Sequence, residues 1–457
     1  MPRNNNWFAT RHLGLALIPL IITGCATMPT DHSLDAYQSL RDSGLPPVRP
    51  AWAGFNADEA ASLLELCIEL NNQDDRNNPK LSSDPQYQAR PNGWQLTYDS
   101  RHPGNSQWNK VWPWDGKADD DANPNNIKTN GLKPLNNAWL LAQSTSDPGH
   151  IAIAIRGTVG EWTSILADAY ATTTPAFAGI EYPKNTPLPI AFAATPNAEV
   201  HLGFGYAAFS LLFHPERGIL AQLEQQQKRQ NITRISITGH SQGAAVATLI
   251  HAFLYYASVD PRNPYQLPFT AKPALKSYLF AQPKPGNLQF AQDFSRIAND
   301  TAFVVNNDRD PVPQVPLSLE RVAEVVKYVQ EDNSDVAVGG VLDDITETII
   351  NTKNSVRGSI AEIFTSHVAD QFEDTDIAAS VERYFGNPPV KLADGKAVSL
   401  NYTLAGQLIP LFGLTKGGSC YTIGDRPDLL LQHHATSYRK LIAMQLLGKS
   451  DHCTDGH

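Results

Sequence analysis

The segment ISITGHSQGAAVATLI, Ile235–Ile250, joins an apolar stretch to a run of small residues through a serine that lies between two glycines. The stretch before Gly239 is typical of a strand, and the residues after Gly243 are typical of a helix. A sharp strand-to-helix turn presents the Oγ of a serine away from the strand, and the glycines leave room for the crowded backbone. Ser241 is therefore a candidate nucleophile. The alternative is an ordinary loop with a coincidental sequence.

The chain on both sides of this turn alternates between short apolar stretches and helical patterns. Such alternation predicts an α/β fold with a largely parallel central sheet. Residues 317–400 interrupt it with further helical patterns and predict a helical insertion. Residues 56–72 predict a helix, whereas residues 72–134, rich in Asn, Asp, Pro and Trp, are expected to form long loops. Strands are predicted within 137–143, 150–157, 233–238, 276–282 and 302–307, and helices within 219–230, 243–257 and 287–298.

A serine nucleophile needs a base and an acid that orients the base, and after a turn of this kind both follow the serine along the chain. Asp310 ends an apolar strand just before the proline-rich residues 311–316, and Asp308 is the alternative acid. Either carboxylate has the alternative interpretation of a solvated turn residue. His433 and His434 lie just before the last helical pattern and are the candidate bases.

Five sequence blocks lie in the order 153–168, 200–207, 239–243, 280–291 and 308–316, and a histidine pair follows near the C-terminus. In this order they resemble the fungal-type (class 3) lipase family, a branch of the α/β-hydrolases. The departures are Lys284, where the family usually has Arg, and Ala281, where it usually has Gly. The resemblance extends over residues 150–316 and the C-terminal histidine. The matching blocks are IAIRGTVGEWTSILAD (153–168), VHLGFGYA (200–207), GHSQG (239–243), FAQPKPGNLQFA (280–291) and DRDPVPQVP (308–316).

The resemblance implies a triad of Ser241, Asp310 and His433. In this family the histidine is often followed five residues later by a tyrosine, and Tyr438 matches that spacing. His434 lies one residue short of the spacing and stays the alternative base. The resulting fold expectation is an α/β-hydrolase with a largely parallel central sheet and a helical insertion between the catalytic Asp and His.

The resemblance also implies an oxyanion hole made by the backbone N–H of Gln242 and by Thr158. His201 precedes the serine, against the expected order, and is expected to be a structural histidine that is hydrogen-bonded near the site. The long apolar stretch that starts after Thr158 is interpreted as a lid over the nucleophile, and the alternative is that it packs on the core. The lid candidates at helical spacing are Trp162, Ile165 and Leu166.

The N-terminus predicts export. Arg3 and Arg11 precede a short apolar segment, an arrangement typical of a secretory signal. The segment ends at Gly24-Cys25, and this end resembles a bacterial lipobox. By this resemblance the mature protein begins at a lipidated Cys25 and is held in the outer membrane of a Gram-negative cell. The alternative is a secreted protein that loses Cys25 with its signal.

The predicted organisation has six parts. Cys67 lies in the helical pattern of residues 56–72 and is expected to be a buried thiol. Cys420 and Cys453 are candidates for a disulfide. The parts are a signal peptide (1–24), the lipidated Cys and tether (25–50), an N-terminal extension packing on the catalytic domain (51–135), the α/β-hydrolase core (136–316), the insertion (317–400) and a C-terminal part carrying the His (401–457).

Composition narrows the function further. With 42% hydrophobic and 18% charged residues the chain is typical of globular proteins, and its net charge of −10 without a basic run argues against nucleic acid as a partner. We expect a hydrolase of lipid carboxylic esters that needs no metal or organic cofactor, whose partners are its lipid ester substrate and the membrane. The alternatives are a phospholipase or acyltransferase with the same triad, or a non-catalytic lipid-binding outer-membrane lipoprotein.

Overall fold

The computed structural model of the protein describes residues 53–72, 91–101, 137–157, 173–182, 186–259, 265, 267, 269–315, 377–385, 402–413 and 431–449. The predicted signal peptide, Cys25 and the tether lie outside these ranges, and so do Cys420 and Cys453. Of the predicted insertion, residues 377–385 are described and form a helix. Among the helices in these ranges, none combines the length and the hydropathy that a membrane span requires.

The described elements alternate along the chain as the sequence predicts. The strands are β1 (Trp94–Asp99), β2 (Trp139–Ser144), β3 (His150–Ile155), β4 (Thr173–Pro175), β5 (Ile180–Glu181), β6 (Pro187–Leu188), β7 (Glu199–His201), β8 (Arg234–His240), β9 (Ala274–Phe280), β10 (Gly286–Asn287), β11 (Ala302–Asn307), β12 (Tyr402–Thr403) and β13 (Gln407–Leu411). The helices are α1 (Ala57–Asn72), α2 (Leu202–Phe213), α3 (Ile219–Arg229), α4 (Gln242–Val259), α5 (Leu288–Ile297), α6 (Ile377–Phe385) and α7 (Ala435–Leu441).

Seven of the described strands form the central sheet, in the order β1-β2-β3-β8-β9-β11-β13. The pairs β3–β8, β8–β9, β9–β11 and β11–β13 are parallel, and β1 and β2 are antiparallel additions at one edge. The carboxyl ends of the parallel strands meet at one edge of the sheet, where the chain after β8 and after β11 carries the candidate serine and aspartates. The sheet is therefore largely parallel, as the alternation of strands and helices predicts.

Strand β3, HIAIAI, shows how the sequence specifies two different helical layers. Its residues alternate between the faces of the sheet because the side-chain period of a strand is two. Ile151, Ile153 and Ile155 lie in the larger buried cluster with residues of α2 and α4. Ala152 and Ala154 lie in the second cluster, with residues of α1 and α7. Small side chains on this second face let α1 pack close to the strands.

Residues 57–99 contribute one helix and one strand to the sheet layer, since α1 packs on the sheet and β1 joins its edge. Strand β1 pairs antiparallel with β2, so the expectation that residues 72–134 form only loops is wrong for 94–99. Helix α1 packs on β3 and β8. An ion pair links it to α7, in which Arg439 donates to both carboxylate oxygens of Glu65 at 2.7 and 2.6 Å. The predicted division of the chain at residue 135 stays a prediction, but a strand from before that boundary completes the sheet.

Cys67 of α1 is buried, as predicted from its helical pattern. Its Sγ lies 3.5 Å from the hydroxyl of Thr238 on β8. Burial raises the pKa of the thiol to about 12, so the thiolate is absent near neutral pH and the side chain serves packing.

A second, smaller sheet has the order β12-β10-β7-β4, and only its strands β4 and β7 lie between β3 and α2 in the chain. Four apolar residues of the long stretch after Thr158 pack on the core, because Ile180, Leu188, Ile190 and Phe192 are all buried. For these residues the alternative interpretation, core packing, describes the structure.

Candidate active site

The predicted turn after β8 has the geometry that directs a serine side chain away from the strand. Ser241 adopts a φ of 61°, in the left-handed region that costs a non-glycine residue free energy. Gly239 and Gly243 are required on either side of it. A Cβ on Gly239 would lie 2.2 Å from the carbonyl oxygen of Gly243, and a Cβ on Gly243 would lie 2.3 Å from that of Ile155. Only glycine at both positions lets α4 start this close to β3.

The structure brings Ser241, His433 and Asp310 into one row of hydrogen bonds. Ser241 Oγ lies 2.8 Å from Nε2 of His433, and Nδ1 of the same ring lies 2.8 Å from Oδ2 of Asp310. Both distances fall within the hydrogen-bond range that nucleophile and base need. All three residues are buried, with exposures of 6%, 6% and 2%. Nδ1–H donates to the carboxylate, which leaves Nε2 free to accept the serine proton.

Asp310, and not Asp308, supplies the carboxylate of this row. Asp310 Oδ1 accepts the backbone N–H of Val312 at 2.9 Å, and Oδ2 accepts the hydroxyl of Tyr438 at 2.7 Å in addition to the imidazole. Asp308 is exposed, and its Oδ1 accepts the N–H of Gly413 at 2.6 Å. The strand β11 thus carries two aspartates past its end, and only the second turns toward the base.

His433, and not His434, contacts the serine. His433 ends a short 3-10 turn, Leu431–His433, and His434 is the residue that precedes α7. Asn307 holds this turn, since its Nδ2 donates at 3.0 Å to the carbonyl oxygen of Gln432 and also to its side-chain Oε1. The main chain of His433 is held separately by His240, whose Nε2 lies 2.7 Å from the His433 carbonyl oxygen.

Two neutral side chains surround the row. Burial, reinforced by the charge of Asp310, raises the pKa of Tyr438 well above its ordinary value, so its hydroxyl remains a donor to the carboxylate. Burial, together with the neighbouring His433, lowers the pKa of His240 well below 6.5, so this imidazole is uncharged near neutral pH. Neither group competes with His433 as a base, because the Tyr438 hydroxyl donates to Asp310 and the lowered pKa makes His240 a weak proton acceptor.

One predicted oxyanion donor lies beside the serine. Gln242 is the first residue of α4, where backbone N–H groups point out of the helix and the helix dipole favours negative charge. Thr158 lies outside the described residues, as do the lid candidates Trp162, Ile165 and Leu166, so their roles stay predictions. The described residue before Thr158 lies close to the serine, since a Cβ on Gly157 would lie 3.1 Å from the Cβ of Ser241.

His201 lies in the interior of the protein. It is fully buried at the end of β7, its Nδ1 accepts the N–H of Phe204 at 3.3 Å, and its ring stacks on that of Phe204. This is the structural role that chain order predicts.

Reasoning from the sequence missed Asn307 and His240. His240 is the first variable residue of the Gly-x-Ser-x-Gly pattern, which assigns no role to that position. Asn307 is the last residue of a predicted strand, and nothing in the sequence distinguishes it from other strand ends. Within the described ranges no group of three or more His, Cys, Asp or Glu side chains is placed to hold a metal ion.

Part of the sequence is similar to known lipases. Residues 152–320 match the family model described as Lipase (class 3). The secreted mono- and diacylglycerol lipase LIP4 of Malassezia restricta is 29% identical over 165 residues, which are 36% of this chain and 46% of that protein. MDL4 of Malassezia globosa, also named a secreted mono- and diacylglycerol lipase, is 31% identical over 182 residues, 39% and 51% of the two chains. The chain spans about half the length of the curated relatives it matches.

Solved lipase structures are also similar to part of the chain. The Lip2 lipase of Yarrowia lipolytica is 21% identical, covers 39% of this chain and 56% of its own, and superimposes with a TM-score of 0.30. The triacylglyceride lipase of Rhizomucor miehei is 17% identical, covers 57% and 74%, and has a TM-score of 0.33.

Proposed function

We propose that this protein is a serine hydrolase that cleaves carboxylic ester bonds of lipids. The observation that carries the proposal is the row Ser241–His433–Asp310, with 2.8 Å at each of its two contacts, on a strand-to-helix turn of an α/β-hydrolase sheet. The class 3 lipase match over residues 152–320 and the names of the relatives support lipid esters as the substrate class.

In the first half of the reaction, Ser241 Oγ attacks the acyl carbonyl carbon while its proton passes to Nε2 of His433. Asp310 accepts Nδ1–H, which keeps the imidazole in the correct tautomer and stabilises the imidazolium as it forms. The N–H of Gln242, and Thr158 by resemblance, donate to the oxyanion. His433 then gives the proton to the departing alkoxide, so the alcohol leaves and the acyl group stays on Ser241.

In the second half, water replaces the alcohol. His433 takes a proton from the water, the hydroxide oxygen adds to the acyl carbon, and the serine oxygen leaves with that proton. The free carboxylic acid and the original serine are regenerated. An acyltransferase would use the same residues with a second alcohol in place of water, and a phospholipase would differ only in the lipid that is bound.

The central test is chemical labelling combined with substitution. A fluorophosphonate probe is expected to modify wild-type protein at Ser241, and Ser241→Ala is expected to lose labelling and esterase activity while its melting temperature stays near that of the wild type. His433→Ala is expected to lose activity by about 10⁴-fold or more, whereas His434→Ala keeps most of it. A folded wild-type protein that neither reacts with the probe nor hydrolyses any ester would reject the proposal in favour of a lipid-binding module.

A substrate panel separates the related activities. Triacylglycerols, monoacylglycerols, phospholipids and p-nitrophenyl esters are compared by release of free fatty acid, and acyl transfer is measured with an added alcohol. We expect neutral acylglycerols to be the preferred class. Preference for phospholipids, or transfer that exceeds hydrolysis, would assign one of the alternatives.

We also propose that the protein is exported and held by a lipidated Cys25. The basis is the sequence before Cys25 and the word "secreted" in the names of the relatives, which supports export alone. Mass spectrometry of the mature N-terminus tests this proposal. Lipid on Cys25 supports an anchored lipoprotein, and an unmodified N-terminus at a later residue supports simple secretion.

A further inference from the structure

Two residues that are neighbours in the chain both bind His433, but at different atoms. Ser241 Oγ meets the ring at Nε2, and the side chain of His240 meets the main chain, its Nε2 lying 2.7 Å from the carbonyl oxygen. His240 is the last residue of β8, a strand buried along nearly its whole length, and is itself 4% exposed. The end of a rigid core strand is therefore connected directly to the backbone of the base.

The His433 carbonyl lies at the junction between the 3-10 turn that ends at His433 and helix α7. In the first turn of α7, the N–H groups of Ser437 and Tyr438 both donate to the carbonyl oxygen of His434, at 2.9 and 3.2 Å. The His433 carbonyl precedes this ladder and is buried with its residue. A buried carbonyl needs a donor, and His240 supplies one.

The protonation state of His240 suits this use. A carbonyl oxygen only accepts, so Nε2 of His240 carries the hydrogen. Burial lowers the pKa of His240 well below 6.5, and the positive charge that His433 acquires lowers it further. The ring stays neutral when His433 takes up the serine proton, so the hydrogen bond is kept throughout the reaction and no second cation forms beside the imidazolium.

We propose that His240 is a positioning residue that fixes the main chain of His433 so that its imidazole faces Ser241. This inference rests on the proposed function and adds a role to the residue that the serine motif leaves variable. Asp310 holds the ring at Nδ1 and His240 holds the backbone at the carbonyl. Asn307 holds the turn one residue earlier, at Gln432, so these two contacts are the ones that act on His433 itself, one on its ring and one on its main chain.

A packing role is the competing explanation, because the His240 ring also contacts aromatic neighbours. Its centroid lies 4.7 Å from that of His433 and 5.7 Å from that of Tyr438. Two substitutions separate the roles. His240→Phe keeps an aromatic ring and removes the donor, whereas His240→Gln removes the ring and keeps an N–H at a position close to Nε2.

The assay is steady-state hydrolysis of p-nitrophenyl butyrate, with melting temperature and the rate of fluorophosphonate labelling measured on the same samples. We expect His240→Phe to lower kcat by about 10- to 100-fold, the scale of a misplacement near 1 Å, with KM changed by less than about twofold. His240→Gln is expected to retain kcat within about threefold, because its N–H still reaches the carbonyl. Labelling rates should follow kcat.

The matched control is His251→Leu. His251 is also a fully buried, hydrogen-bonded histidine, with Nδ1 2.6 Å from the Ser277 hydroxyl, but none of its contacts reaches His433. The His251→Leu variant should have a lower melting temperature and an unchanged kcat. If His240→Phe does not fold, His240→Leu replaces it as the variant without a donor.

Three results would overturn the inference: wild-type kcat in the variant without a donor, an equal loss in the Phe and Gln variants, or a loss that appears only in KM. Each of these requires an active wild-type enzyme. If the wild-type protein itself is not labelled and hydrolyses no ester, the proposed function is wrong, and that failure is seen before any His240 variant is compared.

Discussion

Removing a single oxygen atom, with Tyr438→Phe, tests how the aspartate of the triad is held. The Tyr438 hydroxyl donates to Asp310 Oδ2 at 2.7 Å and accepts the backbone N–H of Asn307 at 3.1 Å. The side chain is fully buried, so no water replaces the lost partner easily. The ring is unchanged in phenylalanine, and the packing of α7 on the sheet is kept.

The magnitude follows from the two contacts. A hydrogen bond to a charged group contributes about 1.5–3 kcal/mol, and a buried N–H left without its acceptor costs about 1–3 kcal/mol. Because both effects come from one atom and are not additive, we expect a loss of about 3 kcal/mol in the free energy of unfolding. At about 2–4 °C per kcal/mol for a domain of this size, the melting temperature falls by about 6–12 °C.

The activity effect should be smaller than that of losing the carboxylate. Asp310 keeps the Val312 N–H and the imidazole of His433, so the base remains oriented by a less rigid carboxylate. We expect kcat for p-nitrophenyl butyrate to fall about tenfold, against about 10⁴-fold when the carboxylate itself is replaced.

Tyr256→Phe is the matched control for this measurement. The Tyr256 hydroxyl also donates to a buried aspartate, Asp293, and accepts from Arg296 at 3.0 Å. Its removal should lower the melting temperature in the same way and leave kcat unchanged. An unchanged kcat in Tyr438→Phe, or an equal fall of kcat in both variants, would refute the argument that Tyr438 acts through Asp310.

Three further predictions follow from other contacts. Asp310→Asn should lower kcat/KM by about 10⁴-fold, whereas Asp308→Asn should leave ester hydrolysis unchanged, and the reverse pattern would move the acid to Asp308. Gly243→Ala places a Cβ 2.3 Å from the Ile155 carbonyl and should cost about 3 kcal/mol or more in urea unfolding; a wild-type midpoint would contradict the close approach of α4 to β3. Burial lowers the pKa of His251 from 6.5 to about 3, so the unfolded chain binds a proton that the folded protein does not. Stability from this residue is complete above pH 6.5 and falls by about 1.4 kcal/mol per pH unit from there toward pH 3, a slope that His251→Leu should remove from urea unfolding curves measured across that range.

Local patterns in the sequence determined which residues carry the chemistry. The first glycine of the serine turn is specified by neighbouring residues, because the contacts that exclude a Cβ at Gly239 come from Gly243 and Ala244, four and five residues on. The alternation of Ile and Ala in β3 specifies which face meets which helical layer for the same reason, a period of two along one strand. Features of this kind are read from one short window of the chain.

Strand β1 is a feature that the reading of the sequence as loops missed. Its six residues, WQLTYD, alternate between large and polar side chains, but they lie in a segment rich in Asn, Asp and Pro. The residues form a strand because β2, some forty residues later, offers an antiparallel edge for them to pair with. Pairing across such a distance is decided by the assembled sheet, which supplies the hydrogen-bond partners.

The choice between neighbouring candidates was predicted from the family resemblance and explained only by the tertiary structure. The resemblance favours Asp310 over Asp308 and His433 over His434, but it does not give the contacts that separate them. Asp308 binds the N–H of Gly413 after β13, which leaves Asp310 to face the base. The serine and the base are 192 residues apart, and the angle at which each side chain leaves the backbone depends on contacts from other elements. The residue types of the site follow from the sequence because catalysis requires them, and their mutual positions follow from the fold because hydrogen bonds 2.8 Å long depend on the packing of β8, β11 and α7 together.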